Sequence, residues 1–199
     1  SIAINIMRIG AHISIAKGLD YLVERQEEIG GNCGQMFVGS PRTWAVSSFD
    51  ETDGAEFVRL RNAADQNPYA AHATYLINMA SPKSDLRDKS INCLQAELDA
   101  AAVLELAYMV VHPGAHTGSG VETGIEQIAE SIDRLRIPED VMLLLENTAG
   151  SGTTLGYRFE QLRAVIETTD APAEQLGVCI DTCHAHAAGY DLTTSDGFA

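Results

Sequence analysis

Apolar residues along this chain follow two rhythms. In one, four or five stand together and the run closes on a polar residue, as in Tyr108-Met-Val-Val-His112, Val141-Met-Leu-Leu-Leu-Glu146 and Leu176-Gly-Val-Cys-Ile-Asp181. Runs of this kind predict strands buried on both faces. Shorter versions over residues 7–11, 33–38 and 68–72 predict three earlier strands, the first delivering His12 to its end and the third, weaker, ending at His72. The second rhythm repeats every three or four residues and predicts helices. It places Leu19, Leu22, Val23 and Ile29 on a helix over 18–29 that Gly30-Gly31 stops, and Ile91, Leu94, Leu98 and Ala102 on one face of a helix over 84–106. It also carries Val121, Ile125, Ile128, Ile132 and Leu135 as far as Pro138, and Phe159, Leu162, Val165 and Ile166 over 158–168. A polar helix is expected at 52–64, a loop at 39–44, an exposed loop at 73–78, and a loop or short helix at 183–189. Met7 reads as a natural start, which makes residues 1–6 an extension.

Strict alternation of strand and helix implies a parallel sheet, either open and doubly wound or closed into a barrel. The six strand ends between residues 11 and 181 fall about 34 residues apart. Eight such units need roughly 270 residues, so the α/β class points to a (β/α)8 TIM barrel of which about six units are present, one incomplete domain spanning 1–199.

The polar residues that end the strands favour closure. His72, His112, Glu146 and Asp181 are nitrogen and oxygen ligands suited to zinc, manganese or iron. In an open sheet the third and sixth strand ends would lie ~14 Å apart at ~4.8 Å per strand, whereas a barrel gathers them around one mouth. A lone histidine at a strand end is more often a hydrogen-bonded structural residue; four ligand types at four successive ends point to a metal site, with Glu146 able to bridge two ions and serve catalysis. His12, His116 and His186 read as lining or solvated residues, and the turn Ala149-Gly-Ser-Gly152 as a flexible loop able to approach a phosphate.

Composition bounds the setting. Hydrophobic residues make up 45% and charged residues 21%, ordinary for a globular domain, and no apolar run reaches membrane-spanning length, so no membrane partner is expected. Cys33, Cys93, Cys179 and Cys183 are scattered, which suits a reducing cytoplasm and buried structural thiols better than a disulfide framework. The 13 basic and 28 acidic residues give a formal charge of −15, with only three lysines, and such a field repels nucleic acid at long range. Very high salt removes that repulsion within a few ångströms, and an acidic, lysine-poor surface then points to a halophilic cytosol.

Several strings carry a family resemblance: Gly10-Ala-His12, Tyr75-Leu-Ile-Asn78, His112-Pro-Gly-Ala-His116, Glu146-Asn-Thr-Ala-Gly150, Leu155-Gly-Tyr157, Cys179-Ile-Asp-Thr-Cys-His184 and Ala187-Ala-Gly-Tyr-Asp191. In this order, from about Met7 onward, they resemble the endonuclease IV family of zinc-dependent apurinic/apyrimidinic endonucleases. The resemblance implies a trinuclear zinc site at a barrel mouth that cleaves duplex DNA 5′ to an abasic nucleotide, leaves a 3′-hydroxyl and works as a monomer. It implies that His72 and His112 hold one zinc, that Glu146 bridges, that Asp181 serves the second and that His184 serves the third. Arg42, Tyr75 and Leu76, with Trp44 nearby, stand where the family inserts side chains into the duplex at the lesion. The family's seventh and eighth strands, with further ligands, are not matched, so one zinc keeps its ligands and two keep only some. Two alternatives stay open: a metal-dependent sugar isomerase or epimerase on the same barrel, and a lesion-binding remnant without turnover.

Overall fold

The apolar runs pair in the order in which they occur along the chain. The computed structural model describes residues 7–198, with strands β1 (Gly10–His12), β2 (Cys33–Met36), β3 (Tyr69–His72), β4 (Tyr108–Val111), β5 (Met142–Glu146) and β6 (Leu176–Cys179) in one sheet, every neighbouring pair parallel. Helices α1 (Leu19–Glu28), α2 (Glu51–Ala63), α3 (Ser84–Val103), α4 (Val121–Asp133) and α5 (Phe159–Thr168) alternate with them; α6 (Thr182–Ala187) and α7 (Ser195–Phe198) follow β6. The architecture is that of six βα units of a (β/α)8 barrel, with β1 and β6 as the sheet edges among the described residues. The extension expected over residues 1–6 lies outside the described residues.

The helices bury their apolar stripes on one face of this sheet. Leu22, Leu94, Leu98, Ile128 and Ile132 are at most 1% exposed, a burial of roughly 1.5–3 kcal/mol each. Asp50 starts α2 by accepting from the amides of Thr52 (2.8 Å) and Asp53 (3.0 Å), while Asp53 accepts from Asp50 N–H. Gly54 lets α2 approach α3, since a Cβ there would lie 2.1 Å from the Val103 carbonyl oxygen.

Two expectations need correction. The fifth strand is not buried on both faces: Leu143 and Leu145 belong to the core under the helices, whereas Met142 and Leu144, which share the barrel-facing side with Glu146, are half-buried. Among the described residues no wall stands opposite the inner face, as one would in a closed barrel, so only the helix-covered side is dry. On α3 the buried stripe runs through Ser90, Ile91, Cys93, Leu94, Glu97, Leu98, Ala100 and Ala101, leaving Ala102 exposed. A polar residue, Glu97, thus sits in the core.

Candidate metal centre

Parallel register brings the ligands to one level. His72 lies opposite Val110, Val111 opposite Leu145 and Glu146 opposite Cys179, so the residues leaving β3, β4, β5 and β6 surround the same mouth. Glu146 is the hub. One carboxylate oxygen, Oε2, lies 3.1 Å from His72 Nε2; the other, Oε1, lies 3.5 Å from His112 Nε2 and 3.2 Å from His184 Nδ1. Asp181 Oδ2 stands 3.6 Å from His184 Nδ1. All five expected ligands therefore meet, as two groups that share Glu146: His72, His112 and Glu146, and Glu146, Asp181 and His184. A cavity of about 320 Å³, bounded by His12 and Gln35 on one side and by Ile180 and Asp181 on the other, opens onto them, which shows the sheet to be curved.

The protons on the two histidine rings differ. His72 Nδ1 lies 2.7 Å from the Ala73 carbonyl oxygen, which can only accept, so the proton is on Nδ1 and the lone pair of Nε2 faces the Glu146 carboxylate. Two acceptors 3.1 Å apart repel unless a cation lies with them or the ring itself takes a second proton. Ligand atoms around a tetrahedral zinc stand roughly 3.4 Å apart for bonds of about 2.1 Å, and the separations of 3.1 and 3.5 Å from Glu146 bracket that value. The residues present thus fit a small divalent cation. His184 is arranged the other way. Its Nδ1 donates to the Asn147 carbonyl at 2.9 Å and so turns an N–H, not a lone pair, towards Glu146; the spacing suits a shared cation, but the chemistry leaves Nε2 as the free ligand atom.

Burial pushes the Glu146 carboxyl up, but His112 and His72, when their rings take the second proton, outweigh it as donors and as positive charges and bring the group down to about 2; a cation between them pulls in the same direction, so the group is an anion. Burial, reinforced by Glu146 and Asp181, pushes the Cys179 thiol up to about 11, so it remains a neutral lining group. Cys183 is exposed, contrary to the expectation of a buried thiol, because α6 turns it outward. His12 lines the mouth, its Nδ1 2.9 Å from Gln35 Oε1, and burial more than the nearby His72 holds its pKa down against the bond to Gln35. His116 Nδ1 accepts from the amides of Gly118 and Gly120 and shapes its own loop, while His186 is exposed.

Two asparagines that the sequence reading passed over tie the ligand loops together. Asn147 exchanges two hydrogen bonds with the Asp181 backbone, at 3.0 and 2.6 Å, and Asn78 does the same with Ala115 at 3.0 and 2.9 Å. Both stand in motif strings, but nothing in a sequence pattern announces such cross-loop pairing. Residues 73–78 are not a loose loop: Ala73, Thr74 and Ile77 are buried, and only Tyr75 is exposed, its ring 5.4 Å from His72 and 5.8 Å from His112. The Pro41 carbonyl accepts from Thr74 Oγ1 (3.0 Å) and Tyr75 N–H (3.3 Å), which joins this loop to the one carrying Arg42. Arg42 is exposed, Leu76 half-buried, and Trp44 half-buried against the core with Lys89 Nζ 4.5 Å from its ring centre. A second cavity of about 490 Å³ runs from Tyr75, Leu76 and Asn78 to His112, Ser151 and His184.

Comparison with known proteins places this geometry. Residues 23–198 match the model of the xylose isomerase-like TIM barrel family. The chain is 50% identical over 189 residues to the probable endonuclease 4 of Halobacterium salinarum, covering 94% of this chain and 67% of the relative. It is 46% identical to that of Natronomonas pharaonis, covering 97% and 68%. The crystal structure of endonuclease IV from Thermus thermophilus superposes with a TM-score of 0.80 at 37% identity, over 93% of this chain and 66% of that one. The chain spans about two thirds of the length of the curated relatives it matches.

Proposed function

Since the chain belongs to the endonuclease IV family of xylose isomerase-like barrels, we propose that it serves as a metal-dependent DNA repair endonuclease hydrolysing the phosphodiester 5′ to an abasic site. The observation that carries this reading is the carboxylate of Glu146, shared by two candidate ligand groups at the barrel mouth. His72, His112 and Glu146 would hold one zinc, with Glu146 extending to a second beside Asp181 and His184 Nε2 left for a third. Zinc, when bound, supplies the Lewis acidity that activates water at neutral pH and draws charge from the phosphate oxygens.

The chain's own residues do the remainder. Arg42 and Tyr75 project from two loops that share the Pro41 carbonyl, so they meet the duplex as one rim, with Leu76 behind and Trp44 packed beneath. Inserting side chains costs least where a base is already missing, which gives selectivity without base readout. The 490 Å³ cavity beside that rim ends on His112 and His184 and would receive the baseless nucleotide. A sugar-processing enzyme has no use for such an exposed rim. The charge of −15 fits the same proposal in concentrated salt, where a Debye length of about 3 Å at 1 M ends the repulsion of DNA. The four free cysteines accord with a reducing cytoplasm, and no helix among the described residues is long and apolar enough to cross a membrane.

The test is a duplex carrying one tetrahydrofuran abasic analogue, incubated with the protein in molar KCl, with and without zinc. A single nick 5′ to the analogue, with an extendable 3′-hydroxyl, abolished by chelator and absent from intact duplex, is expected. No nick, or equal nicking of intact duplex, overturns the reading.

A further inference from the structure

Glu97 is the one carboxylate on the buried stripe of α3, and it is 1% exposed. Both of its oxygens face the same donor, the Thr74 amide, at 3.1 and 3.3 Å. That N–H belongs to the Ala73–Thr74 peptide group, whose carbonyl oxygen accepts from His72 Nδ1 at 2.7 Å. A continuous line of hydrogen bonds therefore runs from a buried anion, through one peptide plane, to the ring that turns Nε2 towards Glu146.

We propose that Glu97 is a positioning residue for His72, acting through the Ala73–Thr74 peptide to fix the ring's tautomer and orientation and to strengthen Nε2 as a ligand. Metal-binding histidines commonly donate their second N–H to a carboxylate or a backbone carbonyl. Here both are present in series. A negative charge beside the peptide N–H polarises the C=O at its other end, which strengthens the bond from Nδ1–H, as successive hydrogen bonds in a low-dielectric interior do. A carboxamide at 97 would satisfy Thr74 N–H without burying a charge, and burying a charge is costly. Burial pushes Glu97 up to about 7, against the opposing pull of Thr74 N–H and of His72, so near neutral pH the charge is carried at a real cost. The same peptide anchors the rim, since Thr74 Oγ1 donates to the Pro41 carbonyl. Glu97 thus secures from beneath both the ligand and the loop that covers it.

This rests on the reading of His72 as a metal ligand, and the test keeps the two apart. Wild type, Glu97→Gln and Glu97→Leu are compared by Co²⁺ and Zn²⁺ affinity in competition with a chelator, by the His72 Nδ1–H signal in nitrogen-edited NMR, and by thermal midpoint as a check on folding. Glu97→Leu is expected to lower cation affinity about 10–100-fold and to lose the protected Nδ1–H signal. Glu97→Gln, which still offers an oxygen to Thr74, is expected to recover most of the affinity and to keep the signal, shifted upfield. The proposal is overturned if Glu97→Leu leaves affinity and signal unchanged, or if Glu97→Gln loses as much as Glu97→Leu. If Glu97→Leu does not fold, an unmoved Nδ1–H resonance in Glu97→Gln overturns it instead. If wild type binds neither cation, the metal reading fails and the ring signal alone decides about Glu97; absence of nicking with cation binding intact counts against the substrate reading only.

Discussion

The two ligand groups share Glu146 but are built differently. On the β3–β5 side His72 has a side-chain exposure of 9%, is backed by α3 and presents a lone pair to the carboxylate, an arrangement that demands positive charge between them. On the β6–α6 side His184 and Asp181 are 28% and 35% exposed, and the His184 Nδ1–H is donated to the Asn147 carbonyl while standing 3.2 Å from Glu146 Oε1. The first group turns two acceptors on each other and calls for a cation; in the second the histidine proton already has a backbone acceptor. Preorganisation therefore resides where the sheet is covered by a long helix, and adaptability where it ends in a six-residue one.

The largest expected effect comes from removing what the groups share. Glu146→Gln keeps the shape but loses the anion, and nicking should fall on the order of a thousandfold or more, with cation binding weakened in both groups together. Equilibrium dialysis against Zn²⁺ checks the second point, and loss confined to one group would show that Glu146 is not common to both.

Next in size is a pH effect peculiar to the β3–β5 side. Glu97 titrates near 4.5 when unfolded and at about 7 when folded, so between those values the folded protein holds the extra proton. Its contribution to stability is then greatest below about 4.5, falls as pH rises towards 7 and is flat above, a loss on the order of 3 kcal/mol. Urea titrations at pH 5 and 8 should show this slope in wild type and not in Glu97→Gln. A slope unchanged in the variant would assign it to other groups.

Glu97 also marks the boundary of what the sequence discloses. Strand order, helix positions and four of the candidate ligands were legible because apolar runs end on polar residues at regular intervals; His184, three residues beyond Asp181, was legible only in the family strings. Glu97 was not, although its place is visible afterwards: it stands four residues after Cys93 and three after Leu94, on the stripe that periodicity assigns to the core. A carboxylate there reads as a breach of the pattern, and only the fold shows that its partner is a backbone amide from another unit. The opposite error occurred on β5, where an unbroken apolar run implied two buried faces; apolarity records what a residue tolerates, and cover on the inner face comes from elsewhere in a barrel.

Paired alanine substitutions separate the groups more finely. His72→Ala removes a buried ring and strands the Ala73 carbonyl, and should cost about 2 kcal/mol. His184→Ala, at a side chain more than a quarter exposed, should cost under about 1 kcal/mol while weakening cation binding all the same. Thermal unfolding of the two variants checks this, and equal losses would erase the distinction between a covered group and an adaptable one.

The smallest effect tests the cover itself. Tyr75 is 59% exposed, so Tyr75→Ala should change stability by no more than about 0.5 kcal/mol. Yet its ring stands over both His72 and His112, and removing it admits water to the group that is otherwise screened. Stopped-flow chelation should show the cation leaving a few-fold faster, with the His72 Nδ1–H signal retained because the bond to the Ala73 carbonyl is buried and does not involve Tyr75. That pairing, faster exchange with an intact tautomer, would make the β3–β5 group resemble its neighbour in access while keeping its preorganisation. A Tyr75→Ala variant that lost the Nδ1–H signal would instead mean that the loop, and not Glu97 beneath it, holds the histidine in place.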